Sequence, residues 1–205
     1  MKVFVVGSDI SIERLWLSRK HQIVDAIDKA DVVQFIGGAD VGPELYGETR
    51  HSKTSTDAYS DKRDLEAWQQ CKPHQLRVGM CRGGQFLNVM NGGALWQHID
   101  GHRGWKGHLI KDLISNREFL VTSTHHQMMI PAEGAELLGF ARAIAHNHGT
   151  NKPEGRNVPK ADAEVIWYYG TKSLCFQPHP EINGFEDCRN YYFNLIDKLF
   201  EPKKV

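Results

Sequence analysis

A chain of 205 residues is long enough to bury a sizeable core without disulfide or metal staples, so one globular domain over 1–205 is expected. With 40% apolar and 24% charged residues, the composition excludes the disordered and collagen-like classes. The 25 basic residues balance 25 acidic ones, which argues against nucleic acid or an anionic membrane as partner and for a small neutral or zwitterionic one.

The chain opens on MKVFVVGSDI, whose apolar run reads as a first strand over 2–7 and is too short for the core of a signal peptide. No stretch approaches the ~18 apolar residues of a transmembrane helix, so a cytoplasmic protein is expected. An amphipathic stretch from Ile12 to about Lys29 reads as a helix, followed by the strand DVVQFIGG at 31–38. The polar segment 49–63 reads as a surface lid leading to a short helix around Leu65 to Cys71. LRVGM at 76–80 is a buried strand, and RGGQFLNVMNGG after it a helix. This alternation predicts a parallel sheet with helices on both faces, because each parallel connection needs a crossover.

The second half is richer in strands. GHLIKDLISNREFLVTST reads as a hairpin turning at Ser115 and Asn116. GAELLGFARAIAHNHG and AEVIWYYGTKSLCFQ add β runs around a second polar lid at 149–161, and FEDCRNYYFNLIDKLF closes the chain as a helix. The expected fold is an α/β sandwich with a mostly parallel core sheet and an antiparallel extension.

The chemistry is concentrated where strand 76–80 meets the next helix. Gly79, Met80, Cys81, Arg82 and Gly83 form the pattern G-x-C-x-G, in which a nucleophile sits on a tight strand-to-helix turn that tolerates no neighbouring Cβ. The amino end of the helix favours a thiolate there, and the Arg82 N–H is placed to donate to a developing oxyanion. A nucleophilic cysteine needs a base, and LCFQPHPE supplies His179 at a strand end with Glu181 two residues on to fix its tautomer. A second oxyanion donor is expected from FIGGADVGP, where the N–H groups of Gly37 and Gly38 can approach a ligand unobstructed. GGADVGP matches neither nucleotide-binding glycine pattern.

IGGADVGPELYGE, DKRDLEAW, VGMCRGGQFLNVMNGGALWQHI, STHHQM and FQPHPE together resemble the class I (triad) glutamine amidotransferases, in particular their γ-glutamyl-γ-aminobutyrate hydrolase-like branch. The resemblance spans roughly residues 35–181 and implies a flavodoxin-like three-layer fold and hydrolysis of a γ-glutamyl amide through a thioester. It implies Cys81 as nucleophile, His179 as base, Glu181 as its orienting partner, and Gly38 and Arg82 as oxyanion donors. Gly37, Gln85, His125, His126 and Gln127 would lie against the substrate. Ile36 stands where the branch usually has proline, and Pro178 where an aromatic residue usually precedes the histidine. The substrate would be glutamine or a larger γ-glutamyl amine. Two other readings remain open, a glutaminase component feeding ammonia to a synthetase partner and a non-catalytic binding module; a homodimer is compatible with either.

Cys71, Cys175 and Cys188 read as buried reduced thiols without zinc-site spacing. Among 11 histidines, the pairs His125 with His126 and His146 with His148 raise the question of a metal. Adjacent strand residues face opposite sides and no acid is close in sequence, so neither a metal nor another cofactor is expected. Trp96, Trp105, Trp167, Tyr168 and Tyr169 read as core, and Arg50, Lys53 and Arg63 as solvent-facing charges rather than carboxylate contacts.

Overall fold

The computed structural model describes residues 1–141 and 161–200, with the Trp105 side chain outside the description. Strand β1 (Lys2–Val6) leads into helix α1 (Ile10–Ser18), capped by the Asp9 carboxylate, which accepts from the Ser11 and Ile12 amides. The helix stops well before Lys29. Lys20 takes a φ of 61°, the His21 amide returns to the Trp16 carbonyl, and Gln22–Ile23 forms β2 beside β1. The β-branched pair Ile23 and Val24 thus joins the sheet, where such side chains lose less freedom than in a helix.

Strands β3 (Val32–Phe35), β4 (Leu76–Met80) and β11 (Ser173–Phe176) complete a parallel core in the order β2-β1-β3-β4-β11. From β11 the sheet continues antiparallel through β10 (Asp162–Tyr168), β9 (Glu136–Ala141), β6 (Arg103–Asp112) and β7 (Glu118–Thr124). Two short strands, β5 (Ala94–Trp96) and β8 (Met128–Ile130), pair with each other and attach through β8 to β10. The parallel core with an antiparallel extension is the fold predicted. The β6–β7 hairpin turns through Asn116 at φ 60°, as the sequence suggested, but β6 begins at Arg103, ahead of the expected strand. The segment 149–161, all but its last residue, and both His146 and His148 lie outside the described residues.

Helix α2 (Ala58–Gln70) starts earlier than expected, because Asp57 caps it with its carboxylate on the Tyr59 and Ser60 amides. The last six residues of the supposed lid, 58–63, are therefore helix. The rest is pinned: the buried Gln97 donates to the Thr49 carbonyl and accepts from the His51 amide and the Thr54 hydroxyl. Helices α3 (Arg82–Met90) and α4 (Glu186–Phe200) follow the predicted positions.

Alternating strand residues divide into two cores, as a period of two requires. Val32, Val78, Leu174 and Phe176 face α1 and α4, with Trp16 and Tyr192 as the large fillers. Val33, Phe35 and Cys175 face the other way, toward Phe86 and Leu87 of α3 and Ala67 of α2. Trp96, Trp167 and Tyr168 are buried as predicted, whereas Tyr169 is exposed. No described helix is long and apolar enough to cross a membrane.

One polar side chain sits in the middle of the first core. Gln34 of β3 accepts from Trp16 Nε1 at 3.1 Å and from the Tyr192 hydroxyl, and donates to the Phe35 and Val78 carbonyls. It ties α1 and α4 to the central sheet. Replacing Gln34 by Leu strands two buried donors, so urea unfolding should show a loss of about 2–4 kcal/mol.

Candidate active site

Cys81 occupies the turn between β4 and α3 with φ 48° and ψ −114°, a conformation that costs a non-glycine residue about 1–3 kcal/mol. Its neighbours hold it there. The Cys81 amide donates to the Phe176 carbonyl at 2.8 Å, and its carbonyl accepts the Gln85 amide at 3.0 Å. A Cβ on Gly79 would lie 2.2 Å from the Gly83 carbonyl oxygen, one on Gly83 2.4 Å from the Phe35 carbonyl oxygen, and one on Gly84 2.9 Å from the Phe176 amide. These three glycines let α3 start directly against the sheet.

The sequence-predicted partners converge on this turn. His179 follows β11, and its amide donates to Thr122 Oγ1 of β7 at 2.6 Å. Its Nδ1 lies 2.6 Å from Glu181 Oε1, which leaves Nε2 for Cys81. Burial pushes the His179 imidazole down, but the charge and hydrogen bond of Cys81, together with Glu181, outweigh it and hold the imidazolium up to about 11. Gly37 is the third side of this contact: a Cβ there would sit 3.1 Å from His179 Cε1 and 3.9 Å from Cys81 Cβ. Gly38, at φ 155°, lies against the Arg82 side chain, 3.4 Å from its Cδ by the same measure.

The Arg82 amide, at the first position of α3, is one of the helix's orphan donors. Its guanidinium does something the sequence did not reveal. Almost fully buried, it pairs with Asp61 at 2.5 Å and with Asp64, both on α2. Asp61 Oδ2 in turn accepts the Gly42 amide at 3.0 Å. One ionic network therefore joins the cysteine turn to the glycine loop at 37–42. Arg63, read as a solvent-facing charge, instead pairs with Asp64 at 2.8 Å and covers Gly7. Arg50 folds back on the Thr54 carbonyl, and of the three loop cations only Lys53 reaches the pocket.

A cavity of about 490 Å³ opens in front of Cys81, lined among others by Gly38, Asp40, Lys53, Gln85, Arg103 and His126. His126 Nε2 is 3.1 Å from Asp40 Oδ1, so this imidazole sits on the pocket side. Its neighbour His125 turns the other way into a buried position, 3.5 Å from Glu164, while its Nδ1 meets the Gln127 carbonyl at 3.0 Å. Gln85 donates to that same carbonyl and to Gln177 Oε1. Gln127 and His125 also line the cavity. Sequence reasoning missed Arg103, Asp61 and Asp64; the acids on α2 at i, i+3 were a usable signal once that segment is seen as helix.

The sequence profile of the family described as Peptidase C26 matches residues 13–143. A glutamine amidotransferase-like protein of Lactococcus lactis subsp. lactis, YvdE, is 31% identical over 126 residues, covering 60% of this chain and 50% of the relative. A Mycobacterium tuberculosis protein named as a glutamine amidotransferase is 34% identical over 176 residues, covering 80% of this chain and 54% of the relative. The chain spans about half the length of these curated relatives. Among solved structures, a GMP synthase component from Thermoplasma acidophilum superposes with a TM-score of 0.65 at 15% identity, over 97% of this chain and 94% of that one. PurLQS from Thermotoga maritima gives 0.62 at 13% identity, over 97% and 98%. At such identities the likeness concerns the fold, flavodoxin-like α/β.

Removing Asp64 leaves a buried guanidinium half-compensated. An Asp64→Ala protein should lose about 3 kcal/mol in urea unfolding.

Proposed function

Because the chain belongs to the Peptidase C26 family, among glutamine amidotransferase-like proteins, we propose that Cys81, His179 and Glu181 form a catalytic triad that hydrolyses a γ-glutamyl amide bond. The observation that carries this reading is the 2.6 Å contact of Glu181 with a histidine whose other face meets Cys81. A carboxylate on Nδ1 fixes the tautomer and supports the imidazolium, the arrangement a thiolate nucleophile needs.

The Cys81 thiolate attacks the side-chain carbonyl carbon, and the carbonyl electrons move onto oxygen, held by the N–H groups of Gly38 and Arg82. His179 gives its Nε2 proton to the leaving amine as the C–N bond breaks, leaving a γ-glutamyl thioester. Neutral His179 then takes a proton from water, which adds to the thioester. Collapse releases glutamate and restores the thiolate and imidazolium. For recognition, the cations Lys53 and Arg103 suit the substrate's α-carboxylate, Asp40 its α-ammonium group, and Gln85 with Gln127 the glutamyl stem. His125 contributes by positioning Gln127, not as a free side chain beside the substrate.

Within the family we assign the chain to the γ-glutamyl-γ-aminobutyrate hydrolase-like branch, on the CRGGQ and HHQ segments. A second reading is a glutaminase component supplying ammonia to a synthetase; it draws on neighbours whose names place them in such assemblies. Mass spectrometry after incubation with glutamine and a panel of γ-glutamyl amines separates the two. The hydrolase reading expects free glutamate from one of these amines with the protein alone and none with Cys81→Ala; labelling of Cys81 by an electrophilic glutamine analogue without turnover would favour the glutaminase component. Glu181→Gln should lower kcat by about 10²–10⁴-fold.

A further inference from the structure

Behind the pocket wall, three imidazoles and one carboxylate meet in the interior. Glu164 Oε1, on β10, lies 3.1 Å from His108 Nε2, 3.3 Å from His102 Nδ1 and 3.5 Å from His125 Nε2. His102, His125 and Glu164 are nearly or fully buried, and His108 is one-tenth exposed at its side chain. Yet none of these four inward-facing atoms makes a hydrogen bond. A charge-assisted N–H···O contact would close to about 2.7–2.9 Å with the hydrogen aimed at the oxygen, whereas these imidazoles stand around the buried carboxylate at 3.1–3.5 Å.

The spacing has another meaning. Around a tetrahedral zinc ion with ligand distances of about 2.0–2.1 Å, neighbouring ligand atoms are separated by roughly 3.3–3.4 Å, a value that the 3.1–3.5 Å contacts about Glu164 Oε1 bracket. All four donor atoms lie within 4.8 Å of one another, so the imidazoles farthest apart need to approach by about 1 Å or more to close on an ion. The outward faces of two rings are also set for ligation. His102 Nε2 is 2.8 Å from Asp162 Oδ2, and His125 Nδ1 is 3.0 Å from the Gln127 carbonyl. Each acceptor holds the ring proton on the outer nitrogen and turns the lone pair of the other nitrogen toward Glu164, as partners of metal-bound histidines do.

We propose that His102, His108, His125 and Glu164 form a buried, four-coordinate divalent metal site, and that its three-imidazole, one-carboxylate donor set selects zinc. Magnesium and calcium would ask for more oxygen donors. Four protein ligands in the interior leave no open position for a reacting water, so the ion is structural. It staples the start of β6, the end of β7 and the middle of β10. It also anchors the substrate pocket: His125 fixes the Gln127 carbonyl, which receives Gln85 from the helix that starts at Cys81. The acid that completes the site lies on a strand distant in sequence, which is why the expectation of no metal found no partner for the histidines.

The test is metal retention by the full chain, stripped with chelator, exposed to zinc alone, desalted and measured by elemental mass spectrometry. The account expects one retained zinc per chain in both wild type and Cys81→Ala, with melting raised by about 5–10 °C at a hundredfold excess over Kd. Asp162→Asn should weaken binding by about 10–100-fold, and Glu164→Gln by more. No retained zinc in folded wild type overturns the proposal; so does zinc that Cys81→Ala loses, because the ion would then sit on the catalytic thiol. Should the Glu164 variant not fold, cobalt in the wild type decides. Intense visible bands without a sulfur-to-cobalt transition support the site, and a thiolate band or a six-coordinate spectrum contradicts it.

Discussion

Gly83 passes so close to β3 that a Cβ would lie 2.4 Å from the Phe35 carbonyl oxygen, and the geometry of the site depends on that approach. It seats the first turn of α3 on the edge of the parallel sheet, which forces Cys81 into its left-handed backbone and points its side chain out of the strand ends. In open α/β sheets that edge is where ligands bind. Here the same edge receives Gly37 and Gly38 from the end of β3 and His179 from the end of β11, so three parallel strands bring Cys81, the glycine loop and the proposed base to one point.

A strained turn persists only if its surroundings over-determine it. Two sets of contacts do so. The Cys81 amide is bonded to β11, and Arg82 is clamped by Asp61 and Asp64 of α2, with Asp61 reaching on to the Gly42 amide. A buried ion network of this kind is weak ground for stability, since taking charges out of water offsets most of their attraction. Its value is register: it fixes the glycine loop relative to the Arg82 amide, the two elements proposed to share one oxyanion.

The antiparallel extension plays a different part. β6 and β7 bring Arg103 and Thr124 to the pocket, with His125 just past the end of β7, and Thr122 of β7 accepts the His179 amide, so the side of the pocket away from the cysteine turn draws on strands with no role in the parallel core. Much of the first half was legible in the sequence because apolar runs, glycine patterns and crossover order are local signals. Helix α1 was over-extended because amphipathic periodicity continued past a turn made at Lys20, and α2 was under-extended because its acids and Arg63 look like loop residues until the Asp57 cap is seen. The meeting of Cys81, His179 and Glu181 was legible from the glycines and prolines around them. The long-range pairings, Arg82 with α2 and Glu164 with three histidines, were not, because each depends on a register between strands and helices that no local spacing encodes.

The central claim is that Cys81 and Glu181 together keep His179 protonated. The most direct measurement is a nuclear magnetic resonance titration of isotopically labelled histidine in the wild type and in Cys81→Ala. The account predicts that His179 stays an imidazolium through neutral pH and well into the alkaline range in the wild type, since Cys81 and Glu181 hold it up to about 11 against the opposing effect of burial. Without the sulfur it should lose its proton at distinctly lower pH, nearer the ordinary histidine value of about 6.5. A neutral His179 at pH ~7 in the wild type, or the same titration in both proteins, would contradict this claim.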